Sequence, residues 1–133
     1  MIIVDIALIA RAEQGNPVRV GMVGAGARGQ GIANQIVNSV PGMELVAIAN
    51  RTVERAVTAY AEAGRNCKEV SSQAELEDAI NKGEPAVTGA AMLLARAEGI
   101  DAIVEVTGAI EFSAHVVLEA INHRKHVSMM NAE

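Results

Sequence analysis

A chain of 133 residues with a net charge of −5 and only two large aromatic side chains, Tyr60 and Phe112, can bury one core but is short for separate cofactor and substrate lobes. The negative charge and the lack of stacking platforms exclude nucleic acid as a partner. The single cysteine, Cys67, excludes an internal disulfide and a cysteine-based zinc site, which makes the reducing cytoplasm the expected compartment.

The N-terminal stretch MIIVDIALIARAEQG lacks the basic lead-in of a signal peptide, and Asp5 interrupts its apolar run. Ile2, Val4, Ile6, Leu8 and Ile9 sit at helical spacing and predict an amphipathic helix ending near Gly15, an extension over residues 1–16. No apolar run approaches the ~20 residues of a membrane span, so no membrane partner is expected. Asn16-Pro17 marks a turn, and residues 18–23 read as a buried strand. From Ala27 a helix carries Ile32, Ile36 and Val40 on one stripe, with Ala33 and Val37 beside it, until Pro41-Gly42 stops it.

Residues 44–49 (ELVAIA) form the second predicted strand. Thr52 is placed to cap a helix running to Gly64, with Val53, Ala56, Val57 and Tyr60 inward. Ser72-Gln73-Ala74-Glu75 is a capping box opening a helix that ends near Gly83. A short strand at 86–88, a short helix at 90–98 and a strand at 102–106 follow. A helix at 111–123, burying Val116, Val117, Ala120 and Ile121, leads to a last strand at 125–130. Short strands alternating with helices call for an α/β fold: a doubly wound parallel sheet of the Rossmann type, one dinucleotide-binding domain over 1–133.

VRVGMVGAGARGQG (18–31) carries the chemistry. In a dinucleotide fold the first strand turns directly into a helix whose free N–H groups and positive dipole end receive the pyrophosphate. The first glycine makes the turn, the second lets phosphate reach the backbone and the third lets helix and strand pack closely. Gly24, Gly26 and Gly29 have that spacing, and the cradle comprises Gly24, Ala25, Gly26, Ala27, Arg28 and Gly29. A tight structural turn is the plainer explanation, but a strand before and a helix after favour nucleotide binding.

At the end of the second strand an acid would hold the adenosine ribose of NAD. Here Asn50, Arg51 and Thr52 stand there instead. A carboxylate repels a 2′-phosphate, whereas Arg51 can pair with one, so NADP is the expected cofactor over NAD, with Arg28 a second cation. The missing acid also weighs against a methyltransferase.

With these elements placed, the chain resembles the cofactor domain of the homoserine dehydrogenase-like oxidoreductases. It is similar in particular to the branch that includes deoxyxylulose phosphate reductoisomerase-like enzymes, often carrying a C-terminal SAF-type domain. The resemblance rests on GNPVRVGMVGAGARGQG (15–31), ELVAIANRT (44–52), DAIVEVTGAIEFSAHVVLEAI (101–121) and KHVSMMNAE (125–133). It implies that Thr107 and Gly108 lie beside the nicotinamide, that Asn131 ends the fifth strand near the same ring, and that Glu133 points toward the substrate. Ala132 stands where homoserine dehydrogenases have lysine, so the implied substrate is a small sugar-like or amino-acid-like carbonyl or alcohol rather than homoserine. The family supplies its substrate-binding groups from a second domain after the fifth strand. The chain is therefore expected to be the cofactor part of a longer oxidoreductase, without a complete catalytic set and open to homo-oligomer formation. A stand-alone dinucleotide-sensing module is the alternative.

Other residues have plainer readings. His115, His123 and His126 are too scattered for a metal site. Met129 and Met130 suit packing. Glu105 is unusual inside an apolar strand: either it faces solvent at a strand edge, or it sits near the cofactor cleft.

Overall fold

Helices and strands alternate through the residues that the computed structural model describes, 2–107 and 109–129. In chain order these are α1 (Ile2–Glu13), β1 (Val18–Val23), α2 (Ala27–Ser39), β2 (Met43–Ala49), α3 (Val53–Glu62) and β3 (Lys68–Glu69). They continue with α4 (Gln73–Lys82), β4 (Ala86–Thr88), α5 (Ala91–Arg96), β5 (Ala102–Glu105), α6 (Ile110–Asn122) and β6 (His126–Met129). The strands form one parallel sheet in the order β3-β4-β2-β1-β5-β6. The chain builds outward from β1 through β2 and then returns to β5 on its other side. This reversal opens a crevice above the carboxyl ends of β1 and β5, where α/β sheets bind ligands.

Strands covered on both faces are continuously apolar, as residues 20–23 and 45–49 are, all of them buried. Alanines let the helices lie close: α3 buries Ala56, Ala59 and Tyr60, at i, i+3 and i+4. The Tyr60 hydroxyl donates to the Leu45 carbonyl at 2.8 Å, and burial pushes the phenol pKa far above its usual value. Ser72 caps α4 as expected, its Oγ accepting the Glu75 N–H at 3.2 Å, and Gly83 ends the helix at φ 74°. The returning Glu75 carboxylate, however, accepts from the Ser71 N–H at 3.4 Å and from the Ser71 and Ser72 hydroxyls instead of the Ser72 N–H. Among the described residues no helix is long and apolar enough to cross a membrane.

Three expectations need correction, and one strand carried no signal in the sequence. Of the α1 stripe, Ile6 is 62% exposed and Ile9 45%, while Leu8 is half-buried. Val57 and Ile121 also face outward, and Ala59 and Ser113 take inward positions, because the arc of each helix that meets the sheet is set by packing. Thr52 occupies the α3 N-cap but makes no side-chain capping bond. The edge strand β3 carries two exposed charged residues and so gave no apolar signal; it joins the sheet through its backbone, Lys68 N–H donating to the Pro85 carbonyl at 2.8 Å.

Glu77 on α4 ties the loop before β5 to the helix layer. Its Oε2 accepts the Glu98 N–H at 3.0 Å and the Gln73 amide at 3.1 Å. The first of these bonds, then the second, holds the carboxyl below its ordinary value of 4.5. A group depressed on folding contributes stability above its unfolded pKa and loses it as pH falls through the folded one. Acid titration should therefore weaken the fold below about pH 4.5, and Glu77→Gln should flatten that part of a pH–melting curve.

Candidate functional site

β1 ends because Gly24 turns the chain at φ +110°, its N–H donating to the Ala49 carbonyl at 2.8 Å. α2 then begins so close to this turn that a Cβ on Gly29 would stand 2.8 Å from the Gly24 carbonyl oxygen. Gly26, at the α2 N-cap, is different. Its backbone is extended (φ −74°, ψ −167°), no side chain caps the helix start, and a Cβ there would meet nothing within 4 Å. Two of the three glycines bring chain segments together; the middle one leaves open surface over the uncapped amides of a helix N-terminus.

That surface forms part of a cleft of about 440 Å³ at the carboxyl ends of β1, β2 and β5. Of the residues singled out from sequence, Gly24, Ala25, Gly26, Asn50, Arg51, Thr52 and Thr107 line it together. Ala27 and Arg28 are exposed in the first turn of α2 and Gly29 is buried; none of the three is among the lining residues. Gly108 and Asn131 lie outside the described residues, as do Ala132 and Glu133.

Asn50 brackets the site. Its Oδ1 accepts the Ala25 N–H at 3.0 Å and its Nδ2 donates to the Thr52 carbonyl at 2.8 Å, locking the glycine loop to the end of β2. Arg51 follows it, and Arg55 lies one turn along α3; both are exposed, both line the cleft, and neither forms an ion pair among the described residues. Among the described residues no carboxylate lines the cleft. Arg55 went unnoticed in the sequence, although a helix starting at Val53 carries it back toward Arg51 at i+4. Gly89, beside Asn50 and Arg51, and Phe112 on α6 also line the cleft; neither was singled out from the sequence.

Glu105 does not face solvent. β5 lies between β1 and β6 and is therefore no edge, and the side chain is 0% exposed. Its Oε1 accepts the Thr107 N–H at 2.8 Å and the Thr107 hydroxyl, and its Oε2 accepts the Ser113 hydroxyl at 2.6 Å. Among the described residues no three histidine, cysteine or carboxylate groups gather as a metal site requires.

The shikimate / quinate 5-dehydrogenase family matches residues 5–95. Myo-inositol dehydrogenase from Lactobacillus casei, solved in complex with NAD(H) and myo-inositol, is similar in structure with a TM-score of 0.63 and 26% identity, over 85% of this chain. Scyllo-inositol dehydrogenase from Lactobacillus casei, solved with NAD(H) and scyllo-inositol, gives 0.64 at 20% identity over 86% of this chain, a likeness of fold. The chain spans 28% of the length of each of these two dehydrogenases. No curated protein sequence matches it.

Proposed function

Because the chain belongs to the shikimate / quinate 5-dehydrogenase family, we propose that its cleft holds a nicotinamide dinucleotide, NADP in preference to NAD, for an oxidoreductase acting on a small sugar-like or amino-acid-like alcohol or carbonyl. One arrangement carries the reading: open space over Gly26 at an uncapped helix start, with two guanidiniums and no carboxylate at the adjoining strand end. The α2 amides and the positive end of that helix receive the pyrophosphate. Arg51 and Arg55 hold the adenosine 2′-phosphate, by charge-assisted bonds that a ribose without that phosphate does not offer. Thr52, with its hydroxyl making no capping bond, adds a polar contact beside them. Thr107, and with it Gly108 and Asn131, borders the nicotinamide end.

A bound cofactor supplies hydride exchange at its nicotinamide ring; the protein supplies orientation. The myo-inositol dehydrogenase, whose chain is far longer, supports a cyclic polyol as the substrate type, and a second domain following this one would hold it. The narrower homoserine dehydrogenase-like assignment rests on the resemblance of residues 15–31, 44–52, 101–121 and 125–133; from the third of these stretches Val106 and Thr107 line the cleft. The expected compartment is the cytoplasm.

NADPH titrated into the protein should change the emission of its reduced ring and raise the melting temperature. At one hundred times Kd, binding adds ~2.7 kcal/mol. In a domain of this size that corresponds to roughly 10 °C. No change at millimolar NADPH or NADH eliminates the dinucleotide reading.

A further inference from the structure

Glu105 is a fully buried carboxylate that does not line the cleft. A carboxylate taken out of water is costly unless donors meet it, and here they converge from two directions. Thr107, two residues on, gives its N–H and hydroxyl; Ser113, eight residues on and in the second turn of α6, gives its hydroxyl at 2.6 Å. Thr107 Oγ1 in turn accepts the Ala109 N–H at 3.2 Å, and the Ser113 N–H donates to the Ala109 carbonyl at 2.8 Å. The turn from β5 into α6 is thus closed around one side chain.

This closure commits the Thr107 hydroxyl hydrogen to Glu105 and one of its lone pairs to the Ala109 N–H. The side chain is thereby oriented with its methyl toward the glycine turn: Thr107 Cγ2 lies 3.2 Å from where a Cβ of Gly24 would stand. The wall that Thr107 presents to the cleft is consequently fixed by Glu105, through bonds the ligand does not touch.

Resting on the dinucleotide reading above, we infer that Glu105 is a positioning residue for the nicotinamide half of the cleft, acting through Thr107 and Ser113 and making no contact with the cofactor. An apolar residue in its place would leave the Thr107 N–H and the Ser113 hydroxyl without their acceptor and let the β5–α6 turn shift relative to Gly24. The adenosine half, built from Arg51, Arg55 and Thr52 at the far side of β1, is independent of this network.

Calorimetric titration with two ligands separates the halves: NADPH, and adenosine 2′,5′-bisphosphate, which carries the 2′-phosphate but no nicotinamide. Glu105→Gln keeps the size of the side chain but replaces one acceptor oxygen with a donor. It should weaken NADPH tenfold or more and leave the bisphosphate within twofold. Ser113→Ala removes a single bond and remains decisive if Glu105→Gln does not fold; it should weaken NADPH at least threefold with the bisphosphate again unchanged. Thr107→Ser, retaining the hydroxyl, should bind NADPH nearly as the parent does, whereas Thr107→Val should resemble Glu105→Gln. Parallel loss of both ligands, or loss of neither, overturns the inference and leaves the dinucleotide reading standing. So does parent protein that binds NADPH no tighter than the bisphosphate. Parent protein that takes neither ligand overturns both.

Discussion

Gly26→Val should abolish dinucleotide binding while lowering the melting temperature of the free protein by no more than about 5 °C, the loss of a favourable N-cap residue. Valine is at ease in extended backbone such as that of Gly26 (φ −74°, ψ −167°), and its Cβ would meet nothing within 4 Å. The packing around Gly26 leaves room for a side chain, so the proposed ligand is what requires glycine here. The isopropyl group would occupy the space over the first α2 amides, where a diphosphate has to approach main chain. A loss of at least one-hundredfold in NADPH affinity is expected, or ~2.7 kcal/mol. Gly29→Ala should do the reverse. Its Cβ would stand 2.8 Å from the Gly24 carbonyl oxygen, a backbone atom with little room to move. Such crowding costs ~1–3 kcal/mol of stability. Paired thermal melts and NADPH titrations on both variants read the two effects apart, and normal NADPH binding by Gly26→Val would place the phosphates elsewhere.

Removing the two guanidiniums should erase the choice of cofactor. Arg51→Ala and Arg55→Ala each delete a charge-assisted bond to the 2′-phosphate, ~1.5 kcal/mol or more apiece. Each should weaken NADPH about tenfold, and the double variant about one-hundredfold, with NADH held within twofold. Both residues are exposed and neither forms an ion pair among the described residues, so the free protein should melt as before. Equal losses for NADPH and NADH would mean that these arginines contribute only general positive charge. The salt dependence offers a second reading, since exposed charge contacts are screened as ionic strength rises.

The order of the elements other than β3, the glycine turn and Arg51 at the end of β2 were legible from sequence alone because each rests on local chemistry. Strand and helix periods, capping residues such as Ser72 and Gly83, and the φ +110° that Gly24 adopts are matters of neighbouring residues. Tertiary structure alone decided which arc of each helix met the sheet, and so left Ile6, Val57 and Ile121 outside while Ala59 went in. It also recruited two charged residues into β3 through backbone pairing, brought Arg55 to the same cleft as Arg51, and turned Asn50 inward to the glycine loop. Above all it put β6 beside β5, which removed the edge that Glu105 could have used to reach water and left Thr107 and Ser113 to satisfy it. Local propensity acts over a few residues, whereas the burial of a polar group depends on what distant segments place around it.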